Sequence, residues 1–331
     1  MDHCAIDVGG RKSQICVRDS SGTIQFEGAL ETSALGDHLL QLPHCRVILE
    51  TAAESFRIAD QARAAGHEVR VVPATLVRTL GVGARSTKTD KRDARALSEV
   101  STRIDLPSVH IPSARSREWK TMAGVHDALV SCRTKLINNV RGWLRGQARK
   151  LRGGEAATFA ERVRAFGELP VYISSELTVI DALTKEINAS EKRFAALTNA
   201  DPVCKRLMTV PGVGPSTALR FVAAVDVVAR FASAHKVEAY LGLSPGEKSS
   251  SERQLRLGIT KAGSSSVRWV LIQAAWILKT CCRAPAARKL QLWAAEVEKR
   301  RGKGVAIVAL ARKLAGILFA LWRDGTEFKS C

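Results

Sequence analysis

The sequence has no Cys-x-x-Cys pair and no histidine pair at zinc-site spacing near its cysteines. Its eight cysteines, at 4, 16, 45, 132, 204, 281, 282 and 331, therefore read as reduced thiols, with no metal or disulfide framework. A Gly-x-x-x-x-Gly-Lys-Ser/Thr phosphate loop is also missing, which argues against ATP-driven chemistry. No uninterrupted apolar run reaches about 18 residues. The best two, Trp269–Leu278 and Val305–Trp322, contain Gln273 and Arg312 with Lys313, and read as core helices. The opening Met-Asp-His-Cys has neither a basic segment nor a signal-like apolar stretch, so a cytoplasmic protein without membrane attachment is expected. Aromatic residues make up only 5% of the chain, and its six tryptophans form no evident base-stacking platform. No internal repeat or low-complexity tract is evident.

Acidic residues are scarce beside basic ones: 32 Asp and Glu stand against 51 Lys and Arg, a net charge of +19. Such a chain repels itself unless a polyanion is present. Nucleic acid is the usual polyanion, an anionic membrane surface is the second choice, and simple solubility is the plain alternative. With 331 residues the chain is long enough for two domains and a sizeable core.

The first hundred residues read as α/β. Strand-like runs fall at Cys4–Val8, Gln14–Arg18, Thr23–Gly28, Arg46–Glu50 and Glu68–Val72, with helical stretches near Ser33–Gln41, Glu54–Ala65 and Thr89–Thr102. Three hairpin-linked strands followed by α/β alternation predict a mixed sheet covered by helices. From Ser113 the pattern turns helical. Trp119–Leu151 carries apolar residues at helical spacing opposite Arg133, Arg141, Arg145, Arg149 and Arg152. Residues 128–154 hold seven Lys or Arg and no acid, so this stripe reads as a phosphate-contacting face or else a solvated one. With Ser174–Leu197 it predicts an antiparallel, coiled-coil-like arm. The last third is mostly helical, with loops expected near 211–215 and 242–264. The expected divisions are 1–108, 109–200 and 201–331.

Three motifs carry chemistry. Asp7 lies in the first strand and Glu50 ends the fourth, both among apolar neighbours where a carboxylate needs a partner. Asp90 and Asp93, in Lys88-Thr-Asp-Lys-Arg-Asp-Ala-Arg, are spaced to share a helix face about 5–6 Å apart. Each acid alone could be structural: a helix cap, an Arg or Lys partner, a strand end. Together they can hold two divalent ions about 3.5–4 Å apart, and their hard oxygens suit Mg²⁺ or Mn²⁺. The second motif, Thr209-Val-Pro-Gly-Val-Gly-Pro-Ser-Thr-Ala-Leu, reads either as an ordinary helix–helix turn or as a helix-hairpin-helix-like turn in which Gly212 and Gly214 let the backbone approach a phosphate. The third is the serine cluster Pro245-Gly-Glu-Lys-Ser-Ser-Ser-Glu-Arg, followed by Gly258-Ile-Thr-Lys-Ala-Gly; taken alone it is a flexible loop.

The acid pattern resembles the RNase H-like, RuvC-type nuclease fold. The spelling around Asp90 and Asp93 is similar to the acid pair of the DEDD transposases of bacterial insertion sequences. That family also has a Pro-x-Glu-x-Ser-Ser core and a downstream Gly-x-Ile-Thr-Lys-x-Gly, matched here by Pro245, Glu247, Ser249, Ser250, Gly258, Ile259, Thr260, Lys261 and Gly263. The resemblance spans essentially the whole chain, with departures at Ala53, Phe56 and Ser264. It implies a DNA recombinase with a metal-binding acid site and a serine nucleophile, placed by position at Ser250, with Ser249 and Ser251 adjacent. It implies acids and serine meeting across subunits of a homo-oligomer, a dimer or tetramer. It also implies donor and target DNA as substrates, a guide RNA encoded by the element, and Lys261 as a nucleic-acid contact. The rivals are a Holliday-junction-type nuclease that hydrolyses DNA with water, and a non-catalytic basic scaffold.

Overall fold

Three hairpin-linked strands open the chain: β1 (Asp2–Asp7), β2 (Lys12–Arg18) and β3 (Ile24–Glu31). The β2–β3 turn is held by Asp19, whose Oδ1 accepts the amides of Ser21 and Thr23 at 2.9 and 3.0 Å. The chain then alternates: α1 (Leu35–Gln41), β4 (Cys45–Glu50), α2 (Ser55–Ala64), β5 (Glu68–Val72), α3 (Ala74–Thr79) and α4 (Asp90–Arg103). The sheet order is β3-β2-β1-β4-β5, antiparallel through β1–β3 and parallel through β1, β4 and β5. This mixed sheet is consistent with an RNase H-like domain. Its central strands are buried on both faces. Leu35, Leu39, Ile58, Ala59 and Ala62 of α1 and α2 cover one, and Leu97 of α4 covers the other.

The computed structural model describes residues 1–79, 90–250 and 253–329. It forms two units, Met1–Pro112 and Ser113–Cys331. The expected helix start at Thr89, with Lys88, and the candidate Ser251 lie outside the described residues.

The second unit begins with α5 (Ala114–Gly146), capped by Ser113, whose hydroxyl accepts the amide of Ser116. It continues through α6 (Phe159–Arg164), α7 (Val171–Ala200), α8 (Pro202–Leu207), α9 (Pro215–Val225), α10 (Ala234–Tyr240), the hairpin β6 (Pro245–Ser250) and β7 (Arg253–Ile259), α11 (Ser265–Thr280), α12 (Arg288–Arg301) and α13 (Lys303–Asp324). The α5 helix stops at Gly146, five residues before the sequence reading placed its end. The α5 and α7 helices are antiparallel: Asn139 reaches Glu176, Arg133 reaches Thr184 and Arg115 reaches Asp201. The buried face of α7, Ile173, Leu177, Ile180, Thr184, Ile187, Ser190, Phe194 and Thr198, advances in steps of three and four throughout, the seam of a coiled coil. At the far end of this arm α6 closes a small core of Val140, Leu144, Phe159, Val163, Ile173 and Leu177. At the near end Trp119, Ala123 and Phe194 join the main core, at whose centre α9 is buried nearly all round.

The Val305–Trp322 stretch lies in α13. By length and composition this helix could cross a membrane, yet half of its most apolar window is buried, and Leu310, Ala311, Leu314, Leu318 and Phe319 fill the main core. It is the structural spine of this unit.

Candidate active site

Asp7 ends β1 and Glu50 ends β4, and these strands are parallel neighbours with Ile6 opposite Leu49. Both carboxylates therefore leave the sheet at the same edge. Alternation fixes their face. Cys4, Ile6, Val47 and Leu49 lie under α1 and α2, whereas Ala5 and Ile48 lie under α4. Asp7 and Glu50, two residues beyond Ala5 and Ile48, share the α4 face.

The α4 helix runs back along β1. Its Ser101 Oγ is 2.7 Å from His3 Nδ1, which sets the level of its C-terminal part. Burial, and then the Arg46 charge, push the His3 imidazole below its ordinary pKa, favouring the neutral ring in this contact. From Ser101 back to Asp93 is about 12 Å of helix. From His3 to Asp7 is about 13 Å of strand. Asp93 thus stands at the level of Asp7, and it is only 7% exposed. Asp7 and Asp93 both engage partners. Asp90 is the first residue of α4; its side chain lies outside the described residues. Among the described residues, no three His, Cys, Asp or Glu side chains are grouped closely enough to hold a metal ion. The donors that do share the edge are hard oxygens, the chemistry that suits Mg²⁺ or Mn²⁺.

The edge is firmly built. Ser55 Oγ donates to the Glu50 carbonyl at 2.5 Å and accepts the Ala52 amide at 3.0 Å, fixing the chain just past Glu50. Arg18 donates to Ser98 at 3.0 Å, and Arg95 grips Glu27 of β3 with two bonds of 2.9 and 2.7 Å. These contacts hold α4 across the sheet.

The serine cluster is not the loop that its sequence suggests. Ser249 and Ser250 belong to β6, and Ser250, opposite Arg253, is the last rung of the hairpin. The side chain of Ser250 lies outside the described residues. The other end of the hairpin is a backbone clasp. The Thr260 amide donates to the Ser244 carbonyl and the Lys261 amide to the Gly242 carbonyl, at 2.9 and 3.1 Å. Gly242 and Gly263 are at φ +71° and +69°, and a Cβ on Gly263 would sit 2.1 Å from the Tyr240 carbonyl oxygen. Arg268 reaches the carbonyls of Leu241, Ala262 and Gly263 from α11. Lys261 is exposed, itself at φ +56°. Ser264, a departure from the usual family spelling, caps α11 by accepting the Val267 amide. Gly263→Ala should cost at least about 2 kcal/mol, from the left-handed backbone and the clash together. Thermal melting would read the loss, and faster amide exchange at Thr260 and Lys261 would locate it. Unchanged protection there would mean that the clasp does not hold the hairpin.

Gly212 has φ +86°, and the space its side chain would fill is taken by the Ala274 carbonyl, 2.6 Å from an ideal Cβ. On that side the turn packs closely against α11. Gly214 caps α9, with Pro215 as the first helical residue. Of the basic stripe, Arg141 and Arg145 are exposed, whereas Arg133 is half-buried and points at Thr184 of α7, 3.4 Å away. Arg149 folds onto Trp143 and Phe166.

The sequence reading missed one polar centre. Arg220, 2% exposed within α9, makes a two-pronged pair with Asp127, both bonds 2.8 Å, and reaches Ser216, Ser266 and His126. The signal was present: a lone arginine inside Ala-Leu-Arg-Phe-Val-Ala-Ala-Val needs a buried partner.

Residues 4–147 match a family model for DEDD transposases, and residues 204–291 match one described as Transposase IS116/IS110/IS902 family. Over 99% of both chains the protein is 32% identical to a probable family 20 transposase of Pseudomonas aeruginosa. It is 31% identical to the transposase for insertion sequence element IS1111A of Coxiella burnetii, covering 72% of this chain and 67% of that one. It is 28% identical to the transposase for insertion sequence element IS1328 of Yersinia enterocolitica, covering 98% and 97%. The chain therefore belongs to the DEDD transposases of bacterial insertion sequences, in the IS116/IS110/IS902 family.

Proposed function

We propose that this transposase cuts and rejoins DNA with an acid site of Asp7, Glu50, Asp90 and Asp93 and with Ser250 as nucleophile. The observation that carries this reading is the shared edge and face of Asp7 and Glu50, with buried Asp93 at their level on α4. These residues would hold Mg²⁺ or Mn²⁺, which when bound lowers the cost of charge developing at phosphorus and its oxygens. Asp7 and Glu50 supply anionic oxygen from the rigid sheet, and Asp90 and Asp93 supply it from one end of α4. The hairpin presents Ser250 at its tip, far from the clasp that fixes its base.

In the reaction, the Ser250 hydroxyl loses its proton to a base and its oxygen bonds to phosphorus. The bond from phosphorus to the departing strand breaks, and that strand's oxygen gains a proton. Attack by the hydroxyl of a new strand reverses these changes, so the phosphodiester is conserved and no nucleotide hydrolysis is required. The three parts, 1–108, 109–200 and 201–331, would serve as acid domain, arm and serine domain. The Gly212–Gly214 turn would act as a helix-hairpin-helix-like backbone contact, and Lys261 and the arm arginines would hold phosphates. A guide RNA encoded by the element would choose the DNA site, with +19 net charge to hold both nucleic acids, and the active form would be a dimer or tetramer.

The test is covalent trapping. Purified protein, Mg²⁺, element RNA and a labelled suicide DNA substrate are resolved on a denaturing gel. Wild type should give a protein–DNA band that is absent in Ser250→Ala and present in Ser249→Ala and Ser251→Ala. Cleavage without a band, undiminished in Ser250→Ala, would instead establish a hydrolytic junction nuclease.

A further inference from the structure

At the far end of the arm, where α5 stops and the chain turns toward α6, Arg141, Arg145, Arg149, Lys150 and Arg152 line a pocket of about 400 Å³. Its walls are fixed. Arg162 of α6 donates to the carbonyls of Arg152 and Glu155 at 2.7 and 2.9 Å, tying down the loop that holds Lys150 and Arg152. The Arg149 amide bonds back to the Leu144 carbonyl at 2.9 Å, and Ala148 beside it has φ +55°. The Arg149 guanidinium lies 5.6 Å from the Trp143 ring and 5.9 Å from that of Phe166, and its Nη1 is buried with no hydrogen-bond partner among the described residues.

The plain explanation for basic residues here is that cations suit the C-terminus of α5. That accounts for Arg145, but Lys150 and Arg152 lie on the loop beyond the last turn of α5, and the pocket still gathers them with Arg141 and Arg145. Among the described residues, none of the five side chains forms an ion pair, and residues 128–154 contain no acid to neutralise them. A concave site lined by four arginines and a lysine that make no ion pairs of their own has the chemistry of a phosphate site. The aromatic faces are covered by Arg149, so the pocket reads charge and not bases.

Resting on the reading of this chain as a nucleic-acid-cutting transposase, we propose that the arm tip is a phosphodiester-binding site. It anchors a nucleic-acid backbone well away from the main core of its unit. Along α7, the 21 residues from Ile173 at the tip to Phe194 in the main core span about 30 Å. That is roughly nine nucleotide steps of a duplex strand. The site therefore lengthens the footprint of the protein and adds affinity without sequence preference.

The probes are a labelled DNA duplex and a labelled RNA stem-loop of matched length. Binding of each to full-length protein is followed by fluorescence anisotropy across a salt series. Arg145→Gln/Arg152→Gln changes exposed side chains only, and Arg149→Met keeps apolar contact with Trp143 and Phe166. The double variant should weaken binding to at least one probe by roughly 10- to 100-fold near 0.1 M salt, and flatten its salt slope by about 2. Arg149→Met should act in the same direction. The probe that loses affinity identifies the backbone held at the tip. Wild-type binding with unchanged affinity and slope in both variants overturns the tip site and leaves the transposase reading standing. Failure of wild type to bind either probe overturns both.

Discussion

Asp7→Asn should lower metal-dependent DNA cleavage by roughly 10³-fold, equivalent to about 4 kcal/mol of lost transition-state stabilisation. The exchange keeps the shape of the side chain and removes its charge at the edge where β1 and β4 end together. An amide oxygen is a much weaker donor to a hard cation than a carboxylate. Because net positive charge itself strengthens DNA binding, the proper control is Asp37→Asn, which makes the same charge change at an exposed position on α1. That variant should cleave like wild type. A second readout is independent of activity. Mg²⁺ bound only by the folded state raises the melting temperature by mass action, and the increase should shrink in Asp7→Asn and persist in Asp37→Asn. Equal cleavage and equal Mg²⁺-dependent stabilisation in the two variants would remove Asp7 from the acid site.

The sheet was legible because its strands are short, apolar and punctuated. All five were read to within a few residues, since Val, Ile and Cys runs between turn signals leave few alternatives. The acids stood out for a related reason: a carboxylate inside an apolar strand is costly enough to need a partner. The β6–β7 hairpin was not. Pro245–Ser250 has no β-branched or aromatic residue, and its pairing depends on the clasp at Gly242 and Gly263, which brings distant backbone together. The partner strand did hold a trace of it, since Leu255, Leu257 and Ile259 alternate. Periodicity gave the two long helices of the arm, yet it could not separate exposed arginines from Arg133 and Arg149, whose surroundings come from α7 and from the tip core. Nor could it show what Gly212 approaches, because Ala274 is some sixty residues away in sequence and meets it only through the packing of α11.

Asp127→Ala should destabilise the second unit by roughly 3–5 kcal/mol, because it strands the buried charge of Arg220. Arg220 sits where α5, α9 and α11 meet, with its side chain 1% exposed, whereas that of Asp127 is 41% exposed. The two partners are therefore unequal. Losing Asp127 leaves a guanidinium in the core with only Ser216, Ser266 and His126 beside it. Losing Arg220 leaves a carboxylate that water still reaches, so Arg220→Met, of similar bulk and apolar, should cost less than Asp127→Ala. The double variant should melt above Asp127→Ala, since an apolar side chain replaces the stranded charge. For a domain of this size the single loss lowers the melting temperature by roughly 6–20 °C. Acid should reveal the same pair. Burial pushes the Asp127 carboxyl up, but Arg220 and Ser266 outweigh it and hold the group below its ordinary value. Its folded pKa is thus depressed. The stabilisation it gives is complete above the unfolded carboxylate value, about 3.9, and fades as pH falls through the folded one. Melting curves taken from pH 7 downward should show wild type losing this stability in the acid range, while Asp127→Ala, which never had it, shows a shallower fall. Identical melting of Asp127→Ala and wild type at neutral pH would mean that Arg220 finds enough partners without the carboxylate.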